Sequence, residues 1–384
     1  MTKTELKKEF RNRFHRESDH FFFCPGRVNL IGEHIDYNGG DVMPCAISLG
    51  TYLLASRNDD MKFRFESLNF SESATVPVEA SYKKEGKEWF NYPLGVLDLL
   101  IREGAAPEGY DLLFYGDLPI GAGLSSSASI EVLTFFAFDQ ILGLGISKFD
   151  IALLAQRVEN NFIGVNCGIM DQFAVAMGKK GKAILLNCDD LGYEYLSMDL
   201  GDYMLAIINS NKERKLSESK YNERFAECRA ALALLQQELH INNLCDIGSA
   251  VFEKHLHLIH DETLGKRAAH VISENERVKL AKEALTNGKT DQFGRLMYAS
   301  HKSLKDLYEV SGRELDTIVS FCEGFAGCIG ARMTGAGFGG SAIALVRKNQ
   351  LPEFTSGLIK YYEDRIGYAC EVFASGVGEG VTAI

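Results

Sequence analysis

The 384 residues include 41 Lys and Arg against 52 Asp and Glu, a formal net charge of −11 at pH 7. This balance excludes a general nucleic-acid binder, which needs a basic face toward the phosphate backbone, so any anionic ligand must be held locally by backbone amides, a metal ion and a few basic side chains. With 46% hydrophobic residues the chain can fill a sizeable core as one or two domains. Its nine cysteines contain no Cys-x-x-Cys pair, which points to reduced thiols and no structural zinc. The charged start is unlike a secretory leader and no stretch has the apolar length of a membrane span, so a cytoplasmic protein is expected.

After an amphipathic first helix, Phe21-Phe22-Phe23-Cys24 reads as a short buried strand that Pro25-Gly26 is expected to stop. Residues 27–40 then crowd Arg27, Glu33, His34, Asp36, Tyr37 and two asparagines between glycine turns. Buried polar groups need partners, and a set of donors and acceptors at one place suits a polyhydroxylated ligand. His34 by itself reads equally as a satisfied structural histidine. Strands are expected at 42–47, 52–56 and 62–66, giving an N-terminal part rich in antiparallel sheet. Ser67 follows the third and either touches a nucleotide or ends the strand. Trp89 reads as packing before an amphipathic segment at 93–102, and a strand at 110–115 leads into the next motif.

That motif is Pro119-Ile120-Gly121-Ala122-Gly123-Leu124-Ser125-Ser126-Ser127-Ala128-Ser129. Glycines let successive N–H groups converge on an anion, and the serines add hydroxyl donors where a helix begins, so the stretch reads as a phosphate cradle. The plainer alternative is a capped helix start. Residues 130–142 form a helix that is apolar nearly all round and therefore buried. Ser147 caps a helix over 149–162, near whose C-terminal end Glu159 is opposed by the helix dipole. It needs a cation or basic partner there unless it is a surface glutamate. A glycine turn from Gly164 enters an apolar helix with Asp171 in its first turn, either a dipole-favoured cap or a base held against a ligand; spacing leaves both open.

Strands are expected at 182–187 and 204–209. The mixed-charge stretch 212–229, with Lys212, Arg214 and Lys215 among its basic residues and Tyr221 in its middle, reads as a helix with a solvated face. Several helices follow over 249–324, where His255, His257 and His260 lack a metal-ligand pattern. Residues 330–340 formally contain Gly-x-Gly-x-x-Gly. A strand-like run follows where the dinucleotide fingerprint requires a helix, so a glycine hairpin is expected.

The motifs at 25–39, 119–129 and 330–340, with Cys167-Gly168-Ile169-Met170-Asp171-Gln172, resemble the galactokinases within the superfamily of galactokinase, homoserine kinase, mevalonate kinase and phosphomevalonate kinase. The resemblance spans nearly the whole chain. It implies a two-domain α/β (α+β) kinase, divided as 1–200 and 201–384, with the active site between the domains. The implied reaction is ATP-dependent phosphorylation of D-galactose at its anomeric hydroxyl, the entry step of galactose catabolism, in a monomer with Mg²⁺.

By the same resemblance Asp171 is the catalytic base and Arg27 its partner at the transferring phosphate. Glu33, His34, Ile35, Asp36, Gly168, Asp171 and Tyr221 bind the sugar. Ser67, Gly121, Ala122, Gly123, Leu124, Ser125, Ser126 and Ser127 bind ATP, and Ser127 and Glu159 ligate the metal. Ile35 stands where the family usually has threonine, and Ala336 where it usually has glycine. A non-catalytic sensor of the same family sits poorly with an intact Arg27 and Asp171, and an isoprenoid kinase does not account for Glu33-His34-Ile35-Asp36.

Overall fold

A computed structural model describes the chain except residues 120, 166 and 213–216. Ile120 of the serine-rich motif, Asn166 of the glycine turn, and Arg214 and Lys215 of the mixed-charge stretch therefore lie outside the described residues. A six-stranded sheet runs in the spatial order Thr382–Ala383, His20–Asn29, Pro44–Arg57, Tyr110–Gly116, Lys62–Ser67, Ala74–Pro77. Its neighbours are antiparallel except for the parallel pair Lys62–Ser67 and Tyr110–Gly116. A four-stranded antiparallel sheet runs Cys328–Thr334, Ser341–Arg347, Tyr203–Asn209, Glu371–Ser375.

Side chains alternate across a strand, and in the first sheet this alternation sorts the core. Phe21, Leu54 and Leu113 lie side by side and bury Leu6 and Phe10 of the helix Lys3–Phe14. Phe22, Leu53, Leu112 and Phe114 face the other way, into the main core. There they meet Val132, Phe135 and Phe138 of the helix Ser126–Leu142, which is apolar nearly all round because it is covered on all sides. Among the described residues no helix is long and apolar enough to cross a membrane.

Two expectations change in detail. The first strand does not stop at Pro25-Gly26; it continues to Asn29 through a register shift between Pro25 and Arg27. A bulge takes up the proline, which has no N–H for the ladder, and re-aims the residues that follow. The runs at 42–47, from Pro44 on, and 52–56 are parts of one long strand, Pro44–Arg57, while Val42 belongs to a short separate strand, Asp41–Val42. The glycine hairpin is found as expected, joining Cys328–Thr334 to Ser341–Arg347.

The two sheets meet at their strand ends. Asn29 N–H donates to Thr334 Oγ1 (3.0 Å), Thr334 Oγ1 donates to Asn29 O (3.2 Å), and Ser341 Oγ donates to Ala122 O (2.8 Å). The hairpin is seated from behind by the helix Thr290–Ser303, where Gly294 lies against Gly330 so closely that a Cβ on Gly294 would stand 2.2 Å from Ile329 O. Overpacking of this kind costs about 1–3 kcal/mol. Gly294→Ala is expected to lower the melting temperature in a thermal denaturation scan, and an unchanged value would contradict the tight helix–strand seating.

Candidate active site

In the serine-rich loop, Gly121, Gly123 and Ser125 have positive φ (75°, 75° and 63°). The carbonyls of Ala122, Gly123 and Leu124 are anchored by Ser341 Oγ, Arg27 Nη1 and Arg27 N–H. Because a trans peptide sets its N–H opposite its C=O, the N–H groups of Gly123, Leu124 and Ser125 point away from that anchor. The helix Ser126–Leu142 begins at once behind them, adding the positive end of its dipole. Ser126 is exposed and Ser127 half-buried, both on the first helical turn. The Ser125 hydroxyl donates to Asp171 Oδ2 at 2.6 Å, which leaves its N–H as the group on the cradle side.

Asp171 sits in the first turn of the helix Met170–Met177 and is gripped by a two-pronged bond. Arg27 Nε donates to Oδ1 and Nη2 to Oδ2, both at 2.7 Å. The arginine side chain is 5% exposed and the aspartate 31%, so the carboxylate is the member of the pair that faces the cleft. It lines a cavity of about 270 Å³ together with Arg27, Glu33, His34, Asp36, Glu159, Gly168 and Tyr221, which include every expected catalytic and sugar-binding residue except Ile35.

The sugar segment is splayed open by partners on other elements. Arg332 Nη1 lies 2.7 Å from Glu33 Oε2, Gly335 N–H donates to Glu33 Oε1 (2.8 Å), and Asn29 Nδ2 donates to Oε2 (3.2 Å). Burial raises Glu33 above the usual carboxylate range, with Arg332 and Arg27 opposing. Behind it, the helix Glu262–Thr286 holds the backbone: Gly32 N–H donates to Glu274 Oε1 at 2.9 Å, and His270 Nε2 lies 3.2 Å from Glu33 O. His34, at φ 63°, has Nε2 at 3.2 Å from Ala336 O and Nδ1 at 2.9 Å from the Tyr37 hydroxyl. The carbonyl can only accept, so the proton belongs on Nε2 and Nδ1 accepts from Tyr37. Burial, with His270 nearby, lowers His34 to about 3 and keeps it neutral.

Asp36 packs so closely on Gly168 that a Cβ there would stand 2.2 Å from its Oδ2, which explains the glycine. Tyr221, on the helix Ser217–Leu235, packs its ring tilted against His34 and edge-on to Tyr37, with centroids 5.7 and 5.3 Å apart. Ile35 departs from the expected sugar contact. Its side chain is fully buried against Gly40 and its carbonyl closes a turn by accepting from Asn38 and Gly40 N–H, so it stands behind the cavity wall.

A second cavity opens beside the helix start, lined by Ser67, Phe70, Trp89, Ser126 and Ser127 among others. Ser67 ends its strand, accepting from Asn69 and Phe70 N–H, and also borders this cavity. Trp89, read as packing, is stacked with Phe70 at its rim (6.3 Å, 17°). Glu159 lies where the helix Lys148–Val158 passes into a π turn, Glu159–Ile163, with the Ser127 hydroxyl against its carboxyl. Burial first, then Asp171, raises it to about 7, while Ser127 pulls it down.

This architecture has close relatives. Residues 8–57 match the galactokinase galactose-binding signature, 91–179 the GHMP kinases N terminal domain and 281–364 the GHMP kinases C terminal domain. The chain is 49% identical over 383 residues to a galactokinase of Clostridium perfringens, covering 99% of each. The chain belongs to the galactokinase family. A galactokinase of Enterococcus faecalis is 48% identical over 378 residues, 98% of each chain. The structure of a Lactococcus lactis galactokinase complexed with galactose superposes with a TM-score of 0.95 at 43% identity, covering 99% of both chains. A mevalonate kinase of Methanococcus jannaschii shares the fold at 20% identity (TM-score 0.71, 94% of this chain and 99% of that one). The galactokinase fold is thus a two-domain α/β kinase in this chain.

Sequence reasoning missed Arg332, His270, Glu274, Gln172 and the true direction of Ser125. None carries a local signal, since each acts on a residue distant in the chain. Arg332, Gln172 and Ser125 stood in stretches already singled out, whereas His270 and Glu274 did not.

Asp36 carries a pH consequence. Desolvation in the cleft, then Asp171, raises it to about 7. A carboxyl raised on folding contributes stability that is full below its unfolded pKa, roughly 4, and is lost as pH rises to about 7. Asp36→Asn keeps the shape without the charge, so it should melt above the parent at pH 8, with the gap narrowing as the pH is lowered to 5. A gap that widened toward acid would contradict this.

Proposed function

We propose that this chain transfers the γ-phosphoryl group of ATP to the anomeric hydroxyl of D-galactose, giving α-D-galactose 1-phosphate and ADP. The observation that carries the reading is the cavity in which Glu33, His34 and Asp36 meet Asp171 and Arg27 beside the serine-rich loop. Its support in sequence is the high identity to galactokinases over the whole chain. The division into 1–200 and 201–384 belongs to the same proposal, supported by the four-stranded sheet drawing only on strands from Tyr203 onward. Cytoplasmic location and a monomeric state remain parts of it, as expected from the sequence.

Phosphoryl transfer passes through a loose transition state, so positioning and charge neutralisation do most of the work. Glu33, Asp36 and Tyr221 orient the sugar ring, with Gly168 allowing close backbone approach. Asp171 faces the cavity and takes the proton of the attacking hydroxyl. Arg27 fixes that carboxylate from both sides and lends positive charge beside the transferring phosphate. The amides of residues 121–127 hold the phosphates, and the cavity bordered by Ser67 and Trp89 takes the base.

Ser127 and Glu159 fit a magnesium ion by the chemistry of their donors. A hydroxyl and a carboxylate are hard oxygen ligands, and Mg²⁺ is commonly held by one or two protein oxygens with phosphates and water completing its shell. Among the described residues no group of three or more His, Cys, Asp or Glu could hold a metal alone. When bound, the ion neutralises phosphate charge. A carboxyl raised to about 7 by burial and by Asp171 is one that a cation would ionise.

Steady-state ATP turnover with galactose against its 2- and 4-position analogues tests the substrate assignment; equal turnover of all of them would overturn it. Asp171→Asn is expected to lower kcat by about 10²- to 10⁴-fold, the range for a positioned general base, while galactose still binds in calorimetry. Near-parent turnover would remove Asp171 from the role. Glu159→Gln should raise the Mg²⁺ concentration needed for half-maximal rate, and an unchanged metal titration would count against its ligand role.

A further inference from the structure

The helix Ser126–Leu142 carries Glu131 one turn beyond Ser127, on the same face. Its carboxyl is completely buried, an expensive placement with no part in the chemistry described so far. Among the described residues neither of its oxygens receives a hydrogen bond, and the same is true of Gln172 Oε1, also completely buried. The Gln172 amide lies against the Glu131 carboxyl, and its Nε2 donates to Glu159 Oε2 at 2.5 Å. Three buried acceptors therefore share one place with no donor among them, next to a glutamine that touches the proposed metal ligand.

A proton on Glu131 resolves the arrangement. A carboxylic acid O–H donates to Gln172 Oε1, which leaves the Gln172 NH₂ facing Glu159. An ionised Glu131 would instead compete with Glu159 for that NH₂ and repel the Gln172 carbonyl oxygen. We propose that Glu131 is a positioning residue, which by donating to Gln172 Oε1 holds the Gln172 amide so that Glu159 is steered toward Ser127 and the metal. Burial and the nearby Glu159 push Glu131 well above the usual carboxylate range and outweigh the opposing pull of the Gln172 side chain, in keeping with a neutral acid. Gln172 directly follows Asp171, so the link also ties the orientation of Glu159 to the helix that presents the base. The role toward the metal rests on Glu159 being its ligand.

The test compares the parent with E131Q, E131M and E159Q. Binding of Mn²⁺ in the presence of ADP is followed by the loss of the free-ion paramagnetic resonance signal, and Mg²⁺ dependence by turnover. E131M fills the same space without a donor and should weaken metal binding about tenfold, the lower end for groups that orient a ligand, with galactose affinity unmoved. E131Q offers an N–H to Gln172 Oε1 and should rescue most of that loss. Difference infrared spectra of the parent at pH 8 should show the carbonyl band of a protonated carboxylic acid that E131Q lacks.

Equal impairment of E131Q and E131M, or no such band, overturns the proposal. So does parent-like metal binding by E131M while E159Q is impaired. If E159Q itself binds metal like the parent, the ligand reading of Glu159 falls and the metal role of Glu131 falls with it, an outcome the infrared band separates from a wrong protonation state. Should E131M fail to fold, Gln172→Leu cuts the same link and should reproduce its metal defect.

Discussion

The structure turns on the bidentate pair between Arg27 and Asp171. Arg27 comes from the end of a central strand just past its bulge, Asp171 from the first turn of a short helix, and both are tied to the serine-rich loop through Gly123 O and Ser125 Oγ. Removing one partner from a buried pair leaves an uncompensated charge, at a cost of about 3–5 kcal/mol. The pair thus locks strand, loop and helix into one geometry. The geometry that satisfies the charges is also the one that sets a carboxylate facing the cleft beside the serine-rich loop.

Around that pair the cleft gathers more acid than base. Glu33, Asp36, Glu159 and Asp171 border the cavity with Arg27, and Arg332 sits behind Glu33. Burial and the nearby charge of Asp171 hold Asp36 and Glu159 near 7, so the cleft is electrostatically strained. Hydroxyl groups can donate to such carboxyls and a cation can neutralise one of them. Strain kept at a functional site and balanced elsewhere is a common arrangement.

The balance comes from the C-terminal part of the chain. Arg332 on a hairpin strand, with His270 and Glu274 on the long helix Glu262–Thr286, holds the backbone and one carboxylate of the sugar segment. Burial of Glu274 is outweighed by Arg277, His270 and Arg332, which lower it to about 2 and keep it ionised against Gly32 N–H. The sugar segment is therefore rigid although it is a loop, because its hydrogen bonds end on regular elements packed in the core.

The sequence by itself determined what depends on near neighbours. Glycines marked the turns at 121, 123 and 335–340, Ser147 capped its helix, alternation marked the strands, and the apolar run after Ser129 gave a buried helix. The motif residues Arg27, Glu33, His34, Asp36, Gly168, Asp171 and Tyr221 were legible from their types and spacing together with the resemblance, and they line one cavity. Tertiary structure alone decided who partners whom. It carried the first strand through Pro25, aimed the Ser125 hydroxyl at Asp171, put Ile35 behind the wall, and brought Arg332 and Glu274 to a loop hundreds of residues away. Local preferences act over about one helical turn or one strand register, whereas a buried polar group is satisfied by whichever donor the packed core brings to it.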